Sequence, residues 1–187
     1  PSRRLLALDS AFQHSIPSSL PSSLRVLRLN FNDRQQQRRD WSTSVVRLPD
    51  GLEELLLGSG SVSGMHLPSS LRKLEFGVDF NDRVDTLELP SSLRSLRFGD
   101  SFNHPVSGLR LPCHLRHLEF GNDFNQSIDD LQLPCELVEL IFGYSFKQSL
   151  ARVCLPASLR YLRLSSYYPI AEAASLRAVG VVSDRLL

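Results

Sequence analysis

Leu89-Pro90-Ser91-Ser92-Leu93-Arg94-Ser95-Leu96-Arg97-Phe98-Gly99-Asp100-Ser101-Phe102-Asn103 returns later as Leu111-Pro112-Cys113-His114-Leu115-Arg116-His117-Leu118-Glu119-Phe120-Gly121-Asn122-Asp123-Phe124-Asn125. The shared frame, L-P-x-x-L-x-x-L-x-F-G-x-x-F, opens at Leu67, Leu89, Leu111 and Leu133 with a constant step of 22 residues, and a fifth copy starts at Leu155. A fixed period of about 20 to 30 residues marks a solenoid, in which each repeat is one coil stacked on the last.

Within one coil, each position has a physical reading. In residues 67–88, Leu67-Pro68 opens the repeat, and proline, lacking a donor and fixed in φ, belongs at a corner rather than inside a ladder. Leu74 and Phe76 alternate with Lys73 and Glu75, the period of a strand with one buried face. Gly77, Gly99, Gly121 and Gly143 end these strands, where the backbone needs either a positive φ or a close approach. Phe80, Phe102, Phe124 and Phe146 form a second aromatic column. Asn81, Asn103 and Asn125 are expected to make an inward ladder that satisfies turn backbone groups. Leu87-x-Leu89 is expected to add a short second strand on the opposite face.

No coil buries these columns alone, and stacking at the parallel strand spacing of roughly 4.8 Å closes the core. Prolines and glycines recur too often for long helices. The fold class read from the sequence is a β-rich, leucine-rich-repeat-like solenoid of about seven 22-residue coils, with a parallel sheet and a C-terminal cap. The pattern resembles the FNIP repeat, a degenerate relative of the leucine-rich repeat named for its Phe-Asn-x-Pro core. Phe102-Asn103-His104-Pro105-Val106 is the nearest match to that core. The resemblance covers residues 67–154 and extends in weaker form from 20 to 168. It implies a protein-interaction scaffold. Some FNIP proteins carry an amino-terminal F-box and act as the substrate arm of a ubiquitin ligase, but no F-box is visible in this chain.

The period breaks in two places. The coil from Leu20 to Leu48 spans 28 residues and the one from Leu48 to Leu67 spans 19. The excess lies in residues 34–43, a polar, basic stretch holding Trp41, the only tryptophan. Such an insertion either projects to meet a partner or folds back around its aromatic anchor. Residues 1–66 therefore read as irregular coils, residues 1–170 as one solenoid, and residues 171–187 as a helical cap over Leu162 and Leu164.

Composition narrows the function classes. The net charge of +1 over 187 residues argues against attraction to nucleic acid or anionic membrane, and no apolar run reaches membrane-spanning length. The chain begins at Pro1 without methionine and reads as a fragment of something longer. Cys113, Cys135 and Cys154 have no zinc-site spacing. Cys113 and Cys135 occupy one position of successive coils, where they either bridge as a disulfide or simply replace turn serines; the second reading favours a reducing, intracellular (cytoplasmic) compartment. His114 and His117 make no metal set, and Asp129-Asp130 lacks a nucleophile or basic partner. Asn125-Gln126-Ser127 matches a glycosylation acceptor within the expected inward ladder, where burial would block modification. The reading is non-enzymatic, with no catalytic residues, cofactor or metal.

The outward positions of the strands carry the functional expectation. One column holds Arg25, Glu53, Arg72, Arg94, Arg116, Val138 and Arg160, and its neighbours hold Lys73, Ser95, His117, Glu139 and Tyr161, then Glu75, Arg97, Glu119, Ile141 and Arg163. Arginines in a row can receive carboxylates or phosphates through bidentate hydrogen bonds. Alternatively Arg72 with Glu75 and Arg116 with Glu119 neutralise one another on an inert face. The candidate contact residues are Arg72, Lys73, Glu75, Arg94, Arg97, Arg116, His117, Glu119, Arg160, Tyr161, Arg163 and Trp41. The expected partner is a protein, with neither nucleic acid nor membrane. The competing expectations are the ligase arm and a purely structural, self-associating rod.

Overall fold

The structure, a computed structural model, describes residues 4–9, 20–30, 47–58, 62–165 and 167–169. Residues 10–19, Trp41 with the 34–43 insertion, and the expected cap at 171–187 lie outside the described residues.

Each coil contributes one strand at the place where leucine and phenylalanine alternate with polar residues. The strands are β1 (Leu5–Asp9), β2 (Val26–Asn30), β3 (Glu54–Leu57), β4 (Lys73–Phe76), β5 (Ser95–Arg97), β6 (His117–Glu119), β7 (Glu139–Ile141) and β8 (Tyr161–Arg163). They form a single sheet in chain order, every neighbour parallel. Eight strands roughly match the expected count of about seven coils, with β1 supplied by the irregular opening segment. Equivalent repeat positions are paired without slip, as in Leu74↔Leu96 and Leu118↔Leu140. The register has a physical origin, since a one-residue slip would turn every leucine of a strand to the opposite face.

Proline makes the corner that leads into each strand. The amides of Leu71, Leu93 and Leu115 donate to the carbonyls of Pro68, Pro90 and Pro112 at 3.0 Å, closing a tight turn. The expected second strand at Leu87-x-Leu89 does not form. Leu87 N–H turns back to Val84 O at 3.1 Å, and the same closure recurs at Leu109 and Leu131, so this backbone is used within its own coil rather than in a ladder. Leu87 is still buried, and Leu89 packs against the core.

The interior consists of like residues stacked on like. Leu74, Leu96, Leu118 and Leu140 are fully buried under the sheet. Phe76, Phe98, Phe120 and Phe142 stack with ring centroids 5.4 Å apart at each step. Phe80, Phe102, Phe124 and Phe146 stack further from the sheet, at 5.9, 5.9 and 6.1 Å. Within a coil the two columns touch, for example Phe120 on Phe124 at 4.1 Å. Each aromatic pair adds roughly 0.5–1.5 kcal/mol beyond area burial. Because equivalent atoms in successive coils are separated by the local step of the stack, the wider spacing of the second column means that the coils fan apart away from the sheet. The solenoid curves with the sheet on its inner side.

The repeat continues further than its sequence pattern. Beyond Arg163 the motif loses its phenylalanines, yet Tyr168 stacks on Phe146 at 6.1 Å and donates its hydroxyl to Gln148 O at 3.1 Å. Buried Ser165 takes the position that glycine holds in earlier coils.

Of the two roles open to the repeated glycines, close approach is the one used. Among the described residues the only positive-φ glycine is Gly64, outside this column. A Cβ on Gly99 would collide with the Gly77 carbonyl oxygen, one on Gly121 with Gly99 O, and one on Gly143 with Gly121 O. These neighbours are backbone atoms, which cannot move aside without separating the coils. Gly121→Ala is therefore expected to lower stability by at least about 1–3 kcal/mol, the usual cost of overpacking. Urea denaturation measures the shift, and an unchanged midpoint would show that the coils do not approach this closely.

Candidate interaction face

Strand alternation sends Lys73 and Glu75, and their counterparts in later coils, away from the leucines, and the arginine column stands one residue before each strand. Backbone hydrogen bonds tie the arginine column together. The amide of Arg72 donates to Glu53 O at 2.8 Å, Arg94 to Arg72 O at 2.8 Å, Arg116 to Arg94 O at 2.9 Å, Val138 to Arg116 O at 2.9 Å and Arg160 to Val138 O at 2.9 Å. The column extends beyond its sequence reading, since Arg25 N–H donates to Arg4 O at 3.1 Å. Ion pairs bring Lys73 to Glu75, and Arg97, His117 and Arg163 to Glu119, whereas the side chains of Arg94 and Arg116 reach groups of the turn that leads into the strand; Trp41 is not among the described residues.

Ion pairs lace this face, though not in the expected combinations. Glu75 pairs with Lys73 at 2.9 Å rather than with Arg72. Glu119 is held by Arg97 at 3.4 Å and by Arg163 at 3.7 Å, with His117 Nε2 at 3.5 Å, whereas Arg116 reaches Glu136 at 3.6 Å. Arg97 and Glu119 stand at equal register on adjacent strands, while Lys73 with Glu75 and His117 with Glu119 are two residues apart on the same face of one strand. The Arg163–Glu119 pair also spans β7 and covers Ile141, which is only 8% exposed although it points outward. Among the described residues Arg72, Arg94 and Arg160 have no ion pair; Arg94 Nη1 instead donates to the carbonyls of Ser91 and Leu93 at 3.3 and 3.4 Å. Exposed pairs of this kind contribute roughly 0–1 kcal/mol each.

Two histidine–glutamate bridges join the coils of β6 and β7. His117 Nδ1 lies 2.6 Å from Glu139 and His114 Nδ1 lies 2.8 Å from Glu136. The second pair escaped the sequence reading. His114 and Glu136 stand where other coils place Ser70, Ser92 and Ser158, whose hydroxyls donate to the carbonyls of Leu52, Leu71 and Leu137 at 2.6 Å. Where serine would cap the neighbouring coil, these two side chains cap each other. The departure from serine at consecutive copies of one position was the available signal.

The asparagine ladder exists, but at the surface rather than inward. Asn81 and Asn103 are exposed and Asn125 half-buried. Each side-chain oxygen accepts the backbone N–H one coil later, Asn103 to Asn81 Oδ1 at 3.1 Å, Asn125 to Asn103 Oδ1 at 2.9 Å and Lys147 to Asn125 Oδ1 at 2.9 Å. Phenylalanine occupies the interior and leaves its neighbour at the rim. Each bond contributes roughly 0.5–1.5 kcal/mol net. Cys113, Cys135 and Cys154 are free and exposed. Among the described residues no group of three or more His, Cys, Asp or Glu side chains is arranged to hold a metal, and no helix is long and apolar enough to cross a membrane.

The hydrogen bond from His114 holds the Glu136 carboxyl below the ordinary glutamate range, against an opposing cost of desolvation and helped by the charges of His114, Arg116 and Arg94. A depressed carboxylate stabilises the fold above its unfolded pKa, and that contribution is lost as pH falls through the lowered folded value. His114→Ala should move the Glu136 titration midpoint upward in a carboxyl-detected NMR titration. A midpoint that stays in place would mean that the bridge between these coils is not formed.

Comparison with known proteins agrees with this architecture. The family model described as FNIP Repeat matches residues 80–123 and 124–167. No curated protein matches the chain. Among solved structures, one titled "The crystal structure of CroV588 a novel circular LRR protein structure" superposes with a TM-score of 0.75 and 34% sequence identity over 88% of this chain. The match covers 24% of that protein, so the chain spans about a quarter of its length. The two family matches coincide with the coils whose phenylalanine and asparagine columns are most regular, and residues 80–167 belong to the FNIP repeat family within a leucine-rich-repeat-like solenoid.

Proposed function

We propose that this chain is a non-catalytic protein-interaction scaffold that captures a protein partner on the inner, sheet face of its curve. The observation that carries the reading is the arginine column. Arg72, Arg94 and Arg160 stand in line without carboxylate partners among the described residues, on a face where most other charges are paired. Guanidinium groups without a carboxylate partner on a rigid sheet are preorganised to receive one. Beside them the half-buried Val138 and the 40%-exposed Tyr161 supply apolar area next to Arg160, the tyrosine–arginine mixture common at the energetic centres of interfaces.

The interspersed carboxylates Glu75, Glu119 and Glu139 favour a protein over nucleic acid or an anionic membrane, because a continuous polyanion would meet them as well as the arginines. Three exposed thiols suit a reducing, cytoplasmic setting. The four distinct pairing schemes around Glu75, Glu119, Glu136 and Glu139 make the face specific in pattern rather than merely basic.

Replacing both Arg94 and Arg116 with glutamate should abolish capture in an affinity pull-down with the solenoid as bait, while the far-ultraviolet circular dichroism spectrum stays the same. Neither side chain is buried, so folding survives the reversal. Undiminished capture by the doubly reversed protein would remove this face from the account.

A further inference from the structure

The column that carries the proposed binding face has a spacing of its own, and that spacing selects the shape of the partner. Arg72, Arg94 and Arg116 sit on three consecutive coils linked by single backbone hydrogen bonds of 2.8 and 2.9 Å. Parallel strands lie about 4.8 Å apart, so the arginines repeat at about that interval. The next position is Val138, whose carbonyl accepts from the amides of Arg160 and Tyr161, and the one after it is Arg160.

A protein segment lying along this column must present acids at the same interval, then one apolar group, then another acid. An extended strand presents its same-face residues about 6.6 Å apart, overshooting each coil by about 2 Å and losing register within two steps. An α-helix presents residues three or four apart on one face, about 4.5–6 Å along its axis, which brackets a single coil step. Over four coil steps the column advances about 19 Å. Fourteen helical residues advance about 21 Å, a difference that flexible arginine side chains absorb.

We propose, resting on the scaffold reading above, that the partner segment is an acidic amphipathic helix laid along the arginine column, with carboxylates at i, i+4, i+7 and i+14 and an apolar side chain at i+11. The acids meet Arg72, Arg94, Arg116 and Arg160 in turn, and the apolar residue meets Val138 with Tyr161 beside it. A helix suits this face for a second reason. It concentrates its acids on one narrow stripe, which stays clear of Glu75 and Glu119 in the column beyond Lys73, as a broad polyanion does not.

The probe is a roughly 20-residue alanine-based helical peptide carrying that pattern, labelled for fluorescence anisotropy and titrated with the whole chain. Three comparison probes are a peptide of identical composition with its glutamates scattered around the helix, a proline-interrupted extended version, and a single-stranded oligonucleotide. The patterned helix is expected to bind at least about tenfold more tightly than the other three, with affinity falling as salt rises. That preference should vanish in the R94E/R116E protein. It should persist in R83E, because Arg83 lies on the turn side of its coil beside Asp85. Equal binding of patterned and scattered helices, or tighter binding of the extended peptide or the oligonucleotide, overturns the helical partner. If the patterned helix fails while the pull-down still depends on Arg94 and Arg116, the face stands and the helix falls. If the pull-down is also indifferent to those arginines, both readings fall.

Discussion

The carbonyl oxygen of Gly99 lies where a side chain on Gly121 would have to begin, and the same contact repeats from Gly77 to Gly143. Much of the molecule depends on this approach of one coil's backbone to the next. It holds the coils in a register from which neither strand can slip, and it brings the two phenylalanine columns close enough to stack. Either glycine or a shift of backbone is required there, and a shift would break the strand pairing on one side and the asparagine bonds on the other. Closeness at one line of atoms thereby propagates to both faces of the coil.

Once the coils are locked in register, every repeated residue becomes a column. Inside, the columns are homogeneous, leucine on leucine and phenylalanine on phenylalanine, so each coil offers the next a surface shaped to fit it. Outside, the columns vary, and the variation is chemical. Arginine persists at the entry to the strand, carboxylates appear intermittently beside it, and the turn position exchanges serine for histidine and glutamate only in the coils of β6 and β7. The wider step of the outer aromatic column bends the stack toward the sheet, placing the variable charged columns on the inside of the curve.

Much of this was legible because a period converts one-dimensional spacing into three-dimensional adjacency. Leu74, Leu96 and Leu118 could be assigned to one buried line without any coordinates, and so could the arginines to one outward line. What escaped was decided by contacts that periodicity does not encode. Asparagine next to phenylalanine reads as part of the same inward ladder, but a strand's end turns the backbone and leaves Asn103 at the rim, bonding along the stack rather than into it. Glu119 reads as a partner for Arg116, yet side chains choose the nearest cation across strands, which is Arg97. Leu87-x-Leu89 looks like a strand, but its amide is already spent on Val84. Tyr168 was hidden because it replaces phenylalanine by shape rather than by letter.

The central claim is that both rims of each coil are fastened to the next coil and that the stack opens as a unit. Hydrogen exchange at single-residue resolution tests it most directly, by comparing the strand-side amides of Arg94, Arg116 and Val138 with the turn-side amides of Asn103, Asn125 and Lys147. The account predicts slow exchange on both sides, with opening free energies that rise and fall together as denaturant is added. Turn-side amides exchanging at the rate of an unfolded chain while the strand side stays protected would contradict it, leaving a sheet without a closed solenoid behind it.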